Sequence, residues 1–302
     1  MRPALRPGLL VSWRDRDTVQ LGVDARRAVA VTGVSDAADV VRLLDGSRDR
    51  AQIIADASGR GVPAAVTERI LTVLAAAGVL IDYPAHLLRS LPLELRRLVL
   101  PVLAVGSLTG QDSDGGARLL ARRTETTVAV TGRGPVGAAV ADLLTRSGVK
   151  ARLEQPGAPG KADLSVLVGH QQPEYVAELI RLRRPHLAVM ATEAIGVVGP
   201  LVRPGSTACL CCLDLARTAR DPAWPLVLAQ VVGRDADPAS SDPILELAVA
   251  AQAAAVALAV ADRAPLALAA VNGTLELVLP AWQWRRRGWR PHPDCACGNR
   301  AA

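Results

Sequence analysis

The sequence predicts an α/β chain in two parts. A small α+β domain of winged-helix-like pattern spans residues 1–90, and a larger domain built on a parallel sheet spans residues 91–302. Three observations predict this. Short apolar runs near the start give way to helical periodicity after residue 35. From Thr126 onward, strand and helix patterns alternate around a glycine turn. All five cysteines stand in two clusters, 209–212 and 295–297, which tie the end of the chain back to its body.

The elements follow in order. "LLVSW", "TVQLG" and "AVAVTG" are apolar runs separated by polar turns and read as three strands. "SDAADVVRLLDG" carries a Ser35 cap, an apolar face at Val40, Leu43 and Leu44, and Gly46 as a stop. "SRDRAQIIADASGRG" is a second, shorter helix. "VPAAVTERILTVLAAAGVLID" is a third, opened by Pro63, with Val66, Ile70, Val73, Leu74 and Ala77 on one face and Gly78 at its end; "VLIDY" closes the domain as a strand. Residues 83–98 read as a linker turning into a helix, and 108–116 as a glycine-rich loop. "TTVAVTGRGPVGAAVADLLTRSGVKARLEQPG" then reads as strand, turn, helix, strand. "KADLSVLVGH", "QQPEYVAELIRLRRP" and "HLAVMATEA" continue as strand, helix, strand, which implies a parallel sheet covered on both faces. "GVVGPLVRPGSTACLCC" looks like a hairpin ending at the cysteines. An Ala-rich helix, the strand "TLELVLP" and a basic, Trp-rich tail complete the chain.

Half of the 302 residues are apolar, yet Phe is absent and aromatic residues are few, so the core must be built from Ala, Val and Leu. A net charge of +6 permits nucleic acid or an acidic peptide as a partner and demands neither. The opening "MRPALRPGLL" has no signal-peptide pattern, and a cytoplasmic location is expected. The apolar stretch 244–263 is mostly Ala and is bounded by Glu246 and Asp262. It reads as a buried helix rather than a membrane span, with Asp242-Pro243 as cap and first turn.

Cys209 and Cys212 form a C-x-x-C pair, and Cys295 and Cys297 a C-x-C pair. Each short loop lets two sulfurs face one ion, so four thiolates in two pairs fit a closed tetrahedral zinc site of structural type. Cys211 is left over, and His292 is a poorer substitute ligand. Two disulfides would need an oxidising compartment, and a redox pair would not need its second partner.

Gly132, Gly134 and Gly137 form G-x-G-x-x-G after a strand and before a helix, the Rossmann-like setting in which glycines let phosphates approach a helix N-terminus. Glu154, 22 residues after Gly132, stands where a ribose-binding acid would lie. The same turn also serves plain helix–strand packing, and both readings stay open on these residues alone.

The glycine turn with two late cysteine pairs resembles the ThiF-like, ubiquitin-activating-enzyme-like fold. "GPLVRPGSTACLCCLDLARTARDPAWP" is similar to the zinc-proximal stretch of the ThiF-like proteins that accompany azoline-forming cyclodehydratases. "LRPGLLVSWRDRDTVQLGVDARRAVAVTGV" and the three helices after it resemble the peptide-recognition domain that opens such proteins. The resemblance covers nearly the whole chain. It implies a ThiF-type domain after the N-terminal module, a habit of pairing as homodimers, and a ribosomally made precursor whose leader is bound by strand addition. The edge would be residues 27–33 and the helix 63–77, with Val29, Val31, Ile70 and Leu74 on the contact.

Adenylating members of that family hold ATP with an Arg and a Lys that follow the second strand, and with an Asp at the end of a later strand. Here "PGAPGK" leaves room for Lys161 alone, and Gly169-His170 replaces the acid. These departures predict that ATP binding is doubtful and the adenylation site degenerate. The chain is then a non-enzymatic scaffold that presents the leader-bound precursor to a separate cyclodehydratase. An ATP-dependent adenylating enzyme is the first alternative. A nucleic-acid-binding winged-helix protein, using "WQWRRRGWRPHP", is the second. An NAD-dependent oxidoreductase explains the glycines but not the cysteines.

Overall fold

The computed structural model of the chain describes residues 2–15, 17–32, 37–84, 89, 92–109, 114–132, 134–155, 157–232 and 241–297. The expected Ser35 cap and the centre of the loop 108–116 lie outside the described residues. The chain divides into two compact units, Met1–Ala121 and Arg122–Ala302.

The first unit is α+β. Strands β2 (Val11–Trp13), β3 (Thr18–Leu21) and β4 (Val29–Thr32) form an antiparallel sheet in the order β2-β3-β4. Helices α1 (Ala37–Arg42), α2 (Arg50–Gly59) and α3 (Ala64–Ala76) follow. Asp49 and Gln52 cap α2 reciprocally, each side chain accepting from the other's backbone amide at 2.9 Å. Strand β5 (Leu80–Asp82) pairs with β1 (Pro3–Leu5), a strand the sequence reading did not assign. Leu21, Leu43, Ile53, Ile70, Leu71 and Leu74 are buried together in the core. Helix α4 (Leu93–Thr109) contains Pro101, and α5 (Ala117–Glu125) leads into the second unit.

The second unit is a seven-stranded sheet in the order β12-β11-β10-β9-β8-β6-β7. Strands β6 (Thr127–Thr131), β7 (Lys150–Glu154), β8 (Leu164–Val168) and β9 (His186–Thr192) run parallel. Strands β10 (Ile195–Val202), β11 (Gly273–Val278) and β12 (Gln283–Gly288) extend the sheet antiparallel. The expected hairpin within 196–212 is instead the β9–β10 pair, turned by Glu193 and Ala194 at φ 53° and 61°. The basic tail is the edge strand β12.

Helices α6 (Pro135–Arg146) and α10 (Pro243–Ala261) pack on one face of the sheet, where Val128, Val140, Leu144, Val166, Leu187 and Val249 interlock. Asp242 caps α10 by accepting from the amides of Ile244 and Leu245 at 2.8 and 3.1 Å. That helix is long and apolar enough to cross a membrane, and half of it is buried within the unit. Helices α7 (Pro173–Arg181) and α8 (Leu210–Thr218) meet on Leu167 of β8, and α9 (Trp224–Val231) packs against α8. Arg123 of α5 makes a nearly buried bidentate pair with Asp262 beyond α10, at 2.7 and 2.6 Å.

Candidate functional site: a glycine turn and a four-cysteine cluster

The sheet order places β6 between β7 and β8, so connections leave β6 in opposite directions. Its carboxyl end is the topological switch point, where open α/β sheets take ligands. Three features meet there. Gly132 follows β6 at φ 131°, and a Cβ on it would stand 2.4 Å from the carbonyl oxygen of Val168, so the turn closes on β8 through backbone alone. Gly134, at φ 93°, is the N-cap of α6, and a Cβ there would meet open space. Pro135 opens α6, leaving the amides of Val136 and Gly137 without intrahelical partners. A helix N-terminus with open space before it and no side chain in the way is a cradle for an anion.

Glu154 ends β7 beside Thr131, its register partner on β6. Arg152 donates to its Oε1 through Nε and Nη2, at 3.0 and 2.7 Å. The second carboxylate oxygen accepts from no protein donor among the described residues. At the same edge, the Thr131 and Tyr175 hydroxyls lie 2.9 Å apart, buried. Tyr175 also lines a cavity of about 410 Å³, bounded by residues 157–159 of the β7–β8 loop and by Gln171, Gln172, Glu174 and Glu178. His170, just past β8, is held below its ordinary pKa by burial and then by the charge of Arg217, against Asp214 and Glu193.

The cysteines converge. Cys209 is the N-cap of α8 and Cys212 lies in its first turn, so the C-x-x-C pair rides on a helix rather than on a hairpin. The Sγ atoms of Cys209, Cys212, Cys295 and Cys297 all lie within 4.8 Å of one another. Three edges measure 3.7 Å (209–212), 3.6 Å (209–295) and 3.7 Å (212–297). A tetrahedron with metal–sulfur bonds of about 2.3 Å has edges of about 3.8 Å, so the cluster is sized for one ion and not for disulfides. Cys209 and Cys212 are buried, and Cys211 is exposed. Burial raises the Cys209 thiol far above its usual range, so a cation is what would stabilise its thiolate.

The four residues expected on a peptide contact fall mostly inside the first unit. Val31, Ile70 and Leu74 are buried core residues and Val29 is half-buried. Among the described residues β4 pairs only with β3, which leaves its other edge open. In the tail, Arg286 donates to the carbonyls of Ala269 and Val271 at 2.9 and 3.0 Å, and the Arg287 guanidinium lies 4.3 Å over the Trp289 ring. Sequence reasoning missed Arg217, Trp224 and Trp289 as a group. They are separated along the chain, and no local pattern joins them.

No protein-family model matches the chain, and no curated protein matches it. Solved structures do. The heterocyclase TruD superposes on 98% of this chain and 43% of its own, with a TM-score of 0.66 and 22% identity. A heterocyclase in complex with substrate and cofactor gives 98%, 39%, 0.66 and 18%. The chain thus spans about two fifths of these heterocyclases. E. coli MccB with AMPCPP and MccA matches over 99% of this chain and 100% of its own, with a TM-score of 0.61 and 13% identity. These likenesses, with the cysteine cluster, establish the fold: an N-terminal α+β region, then a Rossmann-like ThiF-type core with a four-cysteine site able to chelate a metal ion.

They also correct three expectations. The chain is not to be read as a degenerate scaffold, as a non-enzyme, or as a fold for which ATP is doubtful. The whole-length match is to a microcin C7 biosynthetic enzyme solved with the nucleotide analogue AMPCPP, and nothing in that match calls for a separate cyclodehydratase. The physical reason for the error is specific. The insert between β7 and β8 carries Lys161 as its one cation, but a fold can gather charges from segments far apart in the chain.

Proposed function

We propose that this chain is an ATP-dependent, ThiF-type adenylating enzyme that activates a carboxylate of a ribosomally made precursor peptide. The single observation that carries the reading is the whole-length likeness to MccB solved with AMPCPP and MccA. The glycine turn supports it independently, because a cradle with open space before α6 suits a triphosphate.

In this reading the triphosphate lies against the amides of Val136 and Gly137. Gly132 lets the turn close on β8, and Gly134 keeps side-chain atoms out of the phosphate space. The Glu154 oxygen not engaged by Arg152 accepts from a ribose hydroxyl. A peptide carboxylate oxygen attacks the α-phosphorus, and the bond from that phosphorus to the bridging oxygen breaks. Pyrophosphate leaves with the bonding electrons, and an acyl-adenylate remains. The first unit holds the leader by strand addition to the open edge of β4, so affinity there comes from backbone hydrogen bonds and from side chains outside the core.

The four-cysteine site is assigned to zinc, held by Cys209, Cys212, Cys295 and Cys297. All four positions are filled by sulfur, so the ion supplies structure and no open coordination site. Exchange of labelled pyrophosphate into ATP tests the reading: exchange that depends on the precursor peptide is expected, and its absence at saturating ATP and peptide would refute it.

A further inference from the structure

Three contacts fix the cavity of about 410 Å³ beside the glycine turn. Tyr175, which lines it, meets the Thr131 hydroxyl at 2.9 Å, and Thr131 directly precedes Gly132 and pairs with Glu154. Gln171, another lining residue, donates from Nε2 to the Val168 carbonyl at 2.7 Å, the same oxygen on which Gly132 closes. Residues 157–159 run on into Gly160, where a Cβ would stand 2.6 Å from Glu154 Oε1. The cavity therefore adjoins the carboxylate assigned to the ribose, in the crevice between the connections that follow β7 and β8.

The lining suits a flat ring with an amino group. Ala158, Pro159 and Tyr175 supply apolar walls. The polar groups are mainly acceptors. Only an amide nitrogen can donate to a carbonyl, so Gln171 is held with Nε2 on Val168 and Oε1 left over. Glu174 and Glu178, one turn apart on α7, carry acceptor-only carboxylates. Arg181 donates to Glu178 at 2.7 and 2.6 Å, whereas Glu174 has no basic partner among the described residues. Gln172 is the N-cap of α7, and its side chain makes no capping bond. An acceptor-rich, acidic pocket accommodates an exocyclic amino group and opposes a ring carbonyl or a phosphate in the same place.

We propose that this cavity takes the nucleobase of the bound nucleotide, and that Gln171 and Glu174 make it select adenine over guanine. Adenine offers an amino group where guanine carries a carbonyl oxygen, and that oxygen would face Gln171 Oε1 and the Glu174 carboxylate. The same negative charge turns the triphosphate away, toward the Gly134 cradle. The proposal rests on the adenylating reading above. It is tested by titration calorimetry on the full, metal-loaded chain with AMPCPP and its guanine counterpart GMPCPP, comparing wild type, Gln171→Leu and Glu174→Lys. Wild type is expected to hold AMPCPP about 10- to 100-fold more tightly than GMPCPP. That ratio should fall at least threefold in each variant. The ratio is the readout because a new cation attracts any triphosphate alike. Glu174 is exposed, so its variant should fold. Equal affinity for the two analogues in wild type would overturn the proposal while leaving the adenylating reading intact. An unchanged ratio in a folded variant would overturn the part given to that residue. Wild type that binds neither analogue would overturn both readings. Weaker precursor binding by Glu174→Lys with an unchanged ratio would give the cavity to the peptide instead.

Discussion

Gly132 and Gly134 are glycines for different reasons. Gly132 is squeezed against the Val168 carbonyl, so Gly132→Ala should destabilise the second unit by on the order of 3 kcal/mol, from combined clash and left-handed strain. Gly134 has room, so Gly134→Ala should cost only about 1–2 kcal/mol. Its methyl would enter the space proposed for phosphate, so AMPCPP affinity should fall at least tenfold in a protein that still folds, read by calorimetry beside a urea melt. The cysteines divide in the same way. Cys297→Ser should remove the metal and lower the melting temperature steeply, because such sites contribute on the order of 10 kcal/mol, whereas Cys211→Ser should leave metal content at the wild-type level. Elemental analysis distinguishes the two. Both sets of residues were legible in the sequence because their chemistry is carried by short spacing.

At the scale of elements, strand β9 carries a buried histidine with a consequence for pH. The Nδ1 of His186 lies 3.1 Å from the Arg184 carbonyl, and its Nε2 is buried with no partner among the described residues. Burial lowers its pKa from the ordinary 6.5 to about 4. The unfolded chain therefore takes up a proton before the folded one. The stability that this neutral histidine preserves is full above pH 6.5 and is lost as pH falls toward 4, by about 3 kcal/mol in all. Urea melts from pH 7 to pH 4 should show this slope, and His186→Leu should flatten it; an unchanged slope would locate the acid sensitivity elsewhere. Elements were legible where periodicity was long, as in α3 and α10. The β9–β10 turn was not, because Glu193 and Ala194 adopt positive φ without the Gly or Asn that announces such turns. Strand β1 was hidden for a related reason: three residues are too few for a pattern, and only pairing with β5 defines them.

For the whole molecule, the order of units and the four-cysteine cluster could be read from the sequence, and the proposed activity stood there only as the first alternative. The scaffold reading failed because absence of a cation from one segment was taken as absence from the site. In the first unit, the proposed strand addition makes its own prediction. Adding precursor peptide should slow amide hydrogen exchange in residues 29–32 of β4 at least tenfold and leave β2 unchanged; protection of β2 instead would place the peptide on the opposite edge. The central claim concerns where ATP is cut. Phosphorus NMR of purified, metal-loaded protein with ATP and precursor peptide tests it most directly. Pyrophosphate and an equal amount of adenylate, as acyl-adenylate or as the AMP that water releases from it, are predicted, whereas ADP with phosphate, or unchanged ATP, would contradict the account.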